Sequence, residues 1–458
     1  MRNDIRKVID IKTYQDLVDL GDNQRERMDF VVRAIGEHKN STDYKRACDG
    51  KDYLTGKNST IRKYQKLLYT LSGTAVPDNY SANHKCASGF FKRFCTQLDS
   101  YLLGNGITFS NEKTKEKLGK DFESKVFNAV KSSLAQSVSF GFFNNDHLEV
   151  FDLISFVPLY DEEDGALKAG IRFWQLSDSK PLRATLFELD GYTDYIKYSE
   201  KEIEVKQEKR PYRQIRVSSE ADGEKIYSGE NYPGLPIVPL WTNAEKQSEL
   251  EGKREQIDCY DLIKSGFAND LDDASMIYWT IQNAGGMDDI DLAKFVERMK
   301  TVKAAVVEDD GARAEAHTLD VPYQAREAAL TRLEKDLLRD FMMLDVENIA
   351  SGAVTATQIE AAYEPLNERT DELEVYLTQF IMKILELAGI DDKPTYTRSK
   401  ITNRQEESTM ILSSAEYLDE EYITQKLLTI FGDVDMLDEV LKRKQAEELN
   451  RYSSSNEQ

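Results

Sequence analysis

Histidine and cysteine are scarce in this chain of 458 residues, with 4 of each. Cys48, Cys86, Cys95 and Cys259 form no CxxC pair, and the interval from Cys86 to Cys95 is too wide for one arm of a usual zinc site. They read as reduced thiols. His38, His84, His147 and His317 stand in different segments without an HExxH or a neighbouring carboxylate pattern, so no metal site is expected and each reads as surface or structural. A basic surface is lacking too: 60 Lys and Arg face 82 Asp and Glu, a formal charge of −22, which opposes stable binding to phosphate backbones and anionic membrane. No run approaches the roughly 18 apolar residues of a membrane span, and MRNDIRKVIDIKTYQ lacks the apolar core of a signal peptide. The chain is therefore expected to stay inside the cell that makes it, or inside a particle assembled there, with no membrane partner.

Catalytic signatures are missing as well. Gly50-Lys51-Asp52-Tyr53-Leu54-Thr55-Gly56-Lys57-Asn58 fails as a phosphate loop, because its first two glycines are one residue too far apart and Asn58 stands where Ser or Thr must bind Mg²⁺. Gly104-Asn105-Gly106 lacks the third glycine of a dinucleotide fingerprint, since position 109 is Phe, and it reads as a turn ending a helix. The run Asp161-Glu162-Glu163-Asp164 lacks EF-hand spacing and reads as a solvated turn. With no GxSxG elbow and no Cys-His pair, the expectation is a protein that is not an enzyme and carries no cofactor.

What the sequence does have is architecture. Its 40% hydrophobic content suffices for a real core, and its length allows about three domains. Residues up to about 136 carry mainly helical patterns. From 137 to about 253 the texture turns to short aromatic and β-branched runs punctuated by Asp164-Gly165, Asp190-Gly191 and Asp222-Gly223, a strong signal for antiparallel hairpins. Helix is predicted again over 254–283, with an apolar stripe of Ile257, Tyr260, Phe267, Leu271, Ala274, Tyr278 and Ile281 that Lys264 interrupts. Residues 285–321 read as a compact insert with one short helix and a hairpin turned at Asp310-Gly311. A second helix, 323–341, carries Leu330, Leu333, Leu337 and Phe341, with charges of both signs on its other faces, including Arg332 and Asp336 at i,i+4.

The longest feature runs from Thr355 to Ala388. Ile359, Tyr363, Leu366, Thr370, Leu373, Leu377, Phe380, Ile384 and Leu387 alternate steps of four and three along one helical stripe. Thr355 and Gln358 match a capping box, and Gly389 supplies a helix stop. The result is a rod of about 34 residues and roughly 50 Å, with a bend expected near 361–365 because of Pro365. Taken alone, such a rod suits a coiled-coil strut.

Several segments in one order resemble a known family. These are Tyr101-Leu102-Leu103-Gly104-Asn105-Gly106-Ile107; Gly234-Leu235-Pro236-Ile237-Val238-Pro239-Leu240 followed by Asn243; Ile257-Asp258-Cys259-Tyr260-Asp261 with Ser265 and Ala268-Asn269-Asp270; and Ser351-Gly352-Ala353 before the rod. Together they resemble the portal proteins of long-tailed bacteriophages of Gram-positive hosts. Cys259 for the usual small residue and a long linker from Lys201 to Glu230 depart from that pattern.

The resemblance implies an α+β, mainly helical portal fold assembled as a ring, twelvefold in the virion, at one capsid vertex. It implies a wing over 1–253, a first stem helix over 254–284 and a clip over 285–321. A second stem helix would span 322–342, a tunnel loop 343–354, a long bent wing helix 355–390, and a crown with the C-terminal tail 391–458. Double-stranded DNA would pass through the ring without sequence specificity, driven in by the terminase large subunit and later released. Implied partners are other copies of the chain, the terminase, major capsid and scaffolding proteins, and a head-completion or adaptor protein; assembly is implied in the host cytoplasm. The residues implied to face the channel are Asp345, Val346, Glu347, Asn348, Ser351 and Gly352 of the tunnel loop. Lys264, Arg332, Lys335 and Arg339 would serve the stem, and Asp309, Asp310, Gly311 and Arg313 the docking clip.

Overall fold

The computed structural model describes residues 12–69, 72–78, 82–111, 113–198, 202–219, 225–274, 278–282, 290, 294, 313–317, 322–346, 356–399, 404–433, 436–437 and 439–444. The chain opens with short capped helices. Thr13 and Asp16 form a reciprocal capping box at α1 (Tyr14–Val18), and Asn23 caps α2 (Gln24–Asn40). Ser41 then ends α2 and caps α3 (Thr42–Leu54), so the two helices join with no intervening loop. Asn58 caps α4 (Ser59–Lys63); a small hairpin, β1 (Leu67–Tyr69) and β2 (Ala75–Pro77), follows.

The first core forms around α5 (Phe90–Leu103), which buries Phe91, Phe94, Leu98 and Leu102. Strand β3 (Ile107–Phe109) and helix α6 (Lys113–Leu118) lead to α7 (Phe122–Gln136). The β region expected from the Asp-Gly punctuation is present and antiparallel throughout. Strands β4 (Val138–Asn144) and β5 (His147–Asp152) form one small sheet. Strands β6 (Phe156–Tyr160), β7 (Leu167–Trp174), β8 (Leu182–Glu188), β9 (Gly191–Lys197) and β10 (Ile203–Arg210) form a five-stranded meander. One face of the meander packs on α1 and α2 in a second core that includes Leu17, Phe30, Val31, Ile171 and Leu186. An arm, β11 (Arg213–Ser219) with β12 (Lys225–Glu230), follows, and β13 (Ile237–Trp241) returns to pair with β4.

Helix α8 covers Arg254–Ala274. Tyr278–Gln282, expected as its continuation, is instead strand β14, paired with β15 (Arg313–His317) from Tyr278↔His317 to Gln282↔Arg313. The physical reason is composition: Tyr-Trp-Thr-Ile favours a pleated strand, and Tyr278 and Ile281 match the helical stripe only by coincidence of phase. The short helix and the Asp310-Gly311 turn expected in the insert lie outside the described residues, apart from single helical positions at Ile290 and Lys294.

Helix α9 spans Tyr323–Asp340, and α10 spans Ala356–Ala388 as 33 continuous residues with Pro365 inside. Thr355, the expected cap, lies outside the described residues; Gly389 ends the rod at φ +67°. The stripe is buried in the chain's own core: Tyr363, Leu366, Thr370, Leu373, Leu377, Phe380 and Ile384 are all nearly inaccessible. A coiled-coil strut needs that stripe for a second helix, so the reading as a free strut or scaffold rod is corrected. Gly141 shows how close the contact is, because a Cβ there would stand 2.5 Å from the Phe380 ring. Beyond α10, β16 (Pro394–Tyr396) pairs with β3, and α11 (Arg404–Ser413) and α12 (Glu420–Phe431) pack on each other.

One buried charge in the first core has a measurable consequence. Asp99 of α5 is fully buried 3.3 Å from Lys131 of α7, and neither of its oxygens accepts a hydrogen bond. Burial pushes its carboxyl up to about 7 despite the lysine. A folded-state value above the unfolded one means that stability falls as pH rises through this window. Asp99→Asn should therefore gain on wild type between pH 5.5 and 8.5, by on the order of 2 kcal/mol in urea unfolding. A gap independent of pH would contradict this.

Candidate functional site

The segment between α9 and α10 is the expected channel loop, and the structure holds its first residues firmly. Helix α9 ends in a Schellman arrangement. Met343 N–H donates to Leu338 O at 2.9 Å and Met342 N–H to Arg339 O at 2.9 Å, with Met342 in the left-handed region at φ +52°. A side chain costs free energy in that conformation, so the surroundings must impose it. They do so on both sides. Phe341 packs on Phe91 and Phe94 of α5 with ring centroids 6.1 and 4.9 Å apart. Gln97 of α5 then pairs with the Leu344 peptide like a neighbouring strand, accepting from its N–H at 3.0 Å and donating to its carbonyl at 3.2 Å. Met343 and Leu344 are buried, whereas Val346 is exposed. The chain thus leaves the core between Leu344 and Val346.

Helix α8 is fixed to the segments that precede it by a row of polar residues. Its buried line is Ile257, Asp261, Ser265 and Asn269, spaced strictly i,i+4, while Leu262 and Leu271 are exposed. The apolar stripe expected there is corrected. The row faces an extended strap, residues 84–88, whose alternate backbone N–H groups need acceptors. Ser88 N–H donates to Asp261 Oδ1 at 2.8 Å, Cys86 N–H to Ser265 Oγ at 2.9 Å, and His84 N–H to Asn269 Oδ1 at 2.6 Å. The match is one of period: four helical residues rise about 6 Å and two extended ones about 6.6 Å. Asn58 closes the N-terminal end of the row, donating to Asp258 at 2.9 Å and Asp261 at 2.8 Å while its carbonyl oxygen caps α4. Tyr53 donates to Asp258, and burial together with that carboxylate pushes its phenol up to about 12. Burial also raises the Asp261 carboxyl, against its bonds from Asn58 and Ser88.

The connector 242–253, which leads into α8, is gripped by the rod. Arg369 of α10 is 8% exposed and donates to Glu249 Oε1 at 2.7 Å and to the Thr242 carbonyl at 3.1 Å. Asn243 donates to the same Glu249 oxygen at 2.7 Å and to the Gln247 carbonyl at 2.9 Å. Farther along, Arg398 joins Asp371 and Glu374 of the rod, and Asp392 accepts from Ser110 and Asn111 N–H and the Thr114 hydroxyl, so the segment after the rod is tied to the rod and to the stretch from β3 to α6.

Of the residues singled out from sequence, Lys264 is exposed on α8 with Nζ 5.9 Å from the Tyr260 ring centroid. Arg332, Lys335 and Arg339 share one exposed face of α9, spaced by three and four, with Asp336 beside both arginines at 3.0 and 3.7 Å. Asp345 is partly buried and Val346 exposed; Arg313 begins β15 opposite Gln282. Glu347, Asn348, Ser351, Gly352, Asp309, Asp310 and Gly311 lie outside the described residues. Sequence reasoning missed Gln97, Asn58 and Arg369. The only signal was a polar or charged residue standing inside an apolar pattern, which for Arg369 meant next to Thr370 on the stripe. Among the described residues no group of three or more His, Cys, Asp or Glu could hold a metal ion, and no helix is long and apolar enough to cross a membrane.

Comparison with known proteins assigns the family. A family model described as phage portal protein, SPP1 Gp6-like, matches residues 35–450. The chain is 25% identical over 401 residues to the portal protein of Clostridium phage phiCD119, covering 80% of this chain and 85% of that one. It is 23% identical over 377 residues to the portal protein of Bacillus phage SPP1, covering 76% and 73%. Among solved structures it is similar to a chain from the neck of a native gene transfer agent particle computed with C12 symmetry, at TM-score 0.44 and 11% identity, covering 74% of this chain and 89% of that one. A chain from the neck of the empty particle computed with C6 symmetry gives TM-score 0.44 and 11% identity, with 75% and 90% covered. The chain belongs to the SPP1 Gp6-like family of phage portal proteins.

Proposed function

We propose that copies of this chain close into a ring around a channel through which double-stranded DNA is packaged into the phage head and later released. The wing comprises residues 1–253 with 355–390, and α8 and α9 form the stem. The clip spans 285–321, where the terminase large subunit docks during packaging and a head-completion protein afterwards. Residues 343–354 form the tunnel loop, and 391–458 the crown. Capsid and scaffolding proteins meet the assembly in the host cytoplasm.

The observation that carries this reading is the anchoring of the two helices that flank this segment. Gln97, Phe341 and Met342 hold the end of α9, and α10 is seated in the core from Tyr363 onward. Charge is consistent with a conduit. A basic lining would hold phosphates through counterion release, whereas a chain of −22 opposes such holding, and on α9 Asp336 partly offsets Arg332 and Arg339. In a closed ring, mixed-sign helices also meet their neighbours heterologously, positive against negative.

The experiment is to delete residues 347–350, or to replace Gly352 with tryptophan, and to measure DNA packaged per particle. The expected outcome is normal rings with packaging reduced by about tenfold or more, as for loss of a positioning element. Unchanged packaging in normal rings would remove the loop from the mechanism.

A further inference from the structure

Charge is spread unevenly over this acidic chain. Between Tyr53 and Leu98 Asp78 is the one acidic residue, and it is buried. The cations of that stretch stay outside: Lys57, Arg62, Lys63, Lys85, Lys92 and Arg93 are exposed, and none of them makes an ion pair among the described residues. Their backbone supports are mounted on α8. Asn58, which caps α4, and Ser88, at the end of the strap, both donate to Asp261, and the Lys85 ammonium donates to the Arg62 carbonyl at 2.7 Å. Helix α5 then starts just beyond the strap, at Phe90. Tyr64 and the β1–β2 hairpin add apolar surface, with Tyr64, Leu67 and Tyr69 all exposed.

The reverse arrangement runs along the rod. Glu360, Glu364, Glu368, Val375, Met382 and Glu386 are exposed at helical spacing, so they form the face of α10 turned away from its buried stripe. Asp371 on that face is held by Arg398, whereas the glutamates named have no ion pair among the described residues. Glu360, Glu364 and Glu368 stand at i,i+4, where like charges repel. A cationic partner would relieve that repulsion. Within one chain the two faces do not meet. Tyr101, near the end of α5, donates to Asn367 of the rod at 2.6 Å, whereas Lys92 and Arg93 stand at the other end of the same helix, about 13 Å away along its axis.

We propose that the exposed face of α10 on one copy docks on the basic face that α4, the strap and the start of α5 form on the next copy. The proposal rests on the reading that copies of the chain assemble into a ring. Two matches favour a second copy over nucleic acid. The signs are opposite, and each face also carries apolar residues, Val375 and Met382 on one and Tyr64, Leu67 and Tyr69 on the other, as protein interfaces do. A DNA duplex would answer the cations and leave the face of the rod unmatched. Because the two faces are different surfaces, each copy can hold one neighbour on either side, the heterologous contact from which rings close.

The test measures assembly of the full chain by sedimentation velocity, with rings counted by electron microscopy. Arg62→Glu with Lys63→Glu, and separately Glu364→Lys with Glu368→Lys, should each raise the concentration of half-assembly about tenfold or more, with Tm unchanged. A chain carrying both pairs of substitutions should return to within about threefold of wild type, because its faces are again opposite in sign. Assembly unchanged in both variants, or no recovery when the pairs are combined, would overturn the proposal and leave the ring reading standing. If the Arg62 and Lys63 variant assembles normally and loses only affinity for a short DNA duplex, nucleic acid is the occupant and the proposal falls. Wild type that stays monomeric at every concentration would overturn both.

Discussion

Arg369→Met should lower the unfolding free energy by about 3 kcal/mol, because the variant leaves the nearly buried Glu249 with only the longer ion pair to Lys253, at 3.8 Å, and the Thr242 carbonyl without its donor. Glu249 is 9% exposed and shares one oxygen between Arg369 and Asn243, so losing the guanidinium leaves Asn243 and the more distant Lys253 as its partners and moderates the loss. Glu372, the other partner of Arg369, is 39% exposed, and Glu372→Gln should cost no more than about 0.5 kcal/mol. Urea unfolding of both variants checks the contrast; equal effects would mean that the pair to Glu249 does not hold the rod. The consequence reaches past stability, since this contact joins the rod that follows the channel loop to the connector that starts α8. In particles, Arg369→Met should therefore loosen the loop's far anchor while Gln97 keeps the near one.

The second large effect is expected at Asp261. Asp261→Ala removes acceptors at 2.8 Å from both Asn58 Nδ2 and Ser88 N–H. Two donors lose charge-assisted bonds, so a loss of about 3 kcal/mol is expected, less whatever is recovered by no longer burying a carboxylate. Asp261→Asn distinguishes the causes. It can still accept from Ser88, but its amide would turn toward the Asn58 amide, donor against donor. Asp261→Asn should thus fall between wild type and Asp261→Ala, whereas replacing the exposed Leu262 with alanine should change little. Hydrogen exchange at Ser88, Cys86 and His84 reads the strap directly: protection there should drop in both Asp261 variants. Unaltered protection would mean that backbone packing, not the polar row, holds α8 to the wing.

These two sites mark where legibility in the sequence ends. The rod was readable because one stripe from Tyr363 to Ile384 repeats at helical period, and burial follows that period without exception at the residues named. The meander was readable because Asp-Gly turns interrupt alternating runs, and Asp190-Gly191 does sit at the β8–β9 turn. Helix α8 defeated the same logic. Its buried face is polar because what it meets is a length of backbone rich in N–H groups, and nothing within 254–274 tells that residues 84–88 will lie there. Tyr278–Gln282 failed for a related reason: helix and strand patterns overlap over five residues, and the partner that decides between them is more than 30 residues away. The resemblance to portal proteins came from the same motifs, and their contacts now have physical content. Asp258, Asp261, Ser265 and Asn269 fasten α8, and Asn243 braces the Glu249 carboxylate. As a member of the portal family the chain is a component of the virion.

The burial of the rod changes what oligomer to expect. With its stripe from Tyr363 to Ile384 buried in the chain's own core, α10 cannot use it as the seam of a parallel coiled coil, so association is expected through other surfaces, such as the mixed-sign face of α9. Electron microscopy of the purified full-length chain tests this most directly. The account predicts closed rings with a central hole, with α8 and α9 bordering the hole and the wings outside. Monomers at every concentration, or elongated bundles joined through α10, would contradict it.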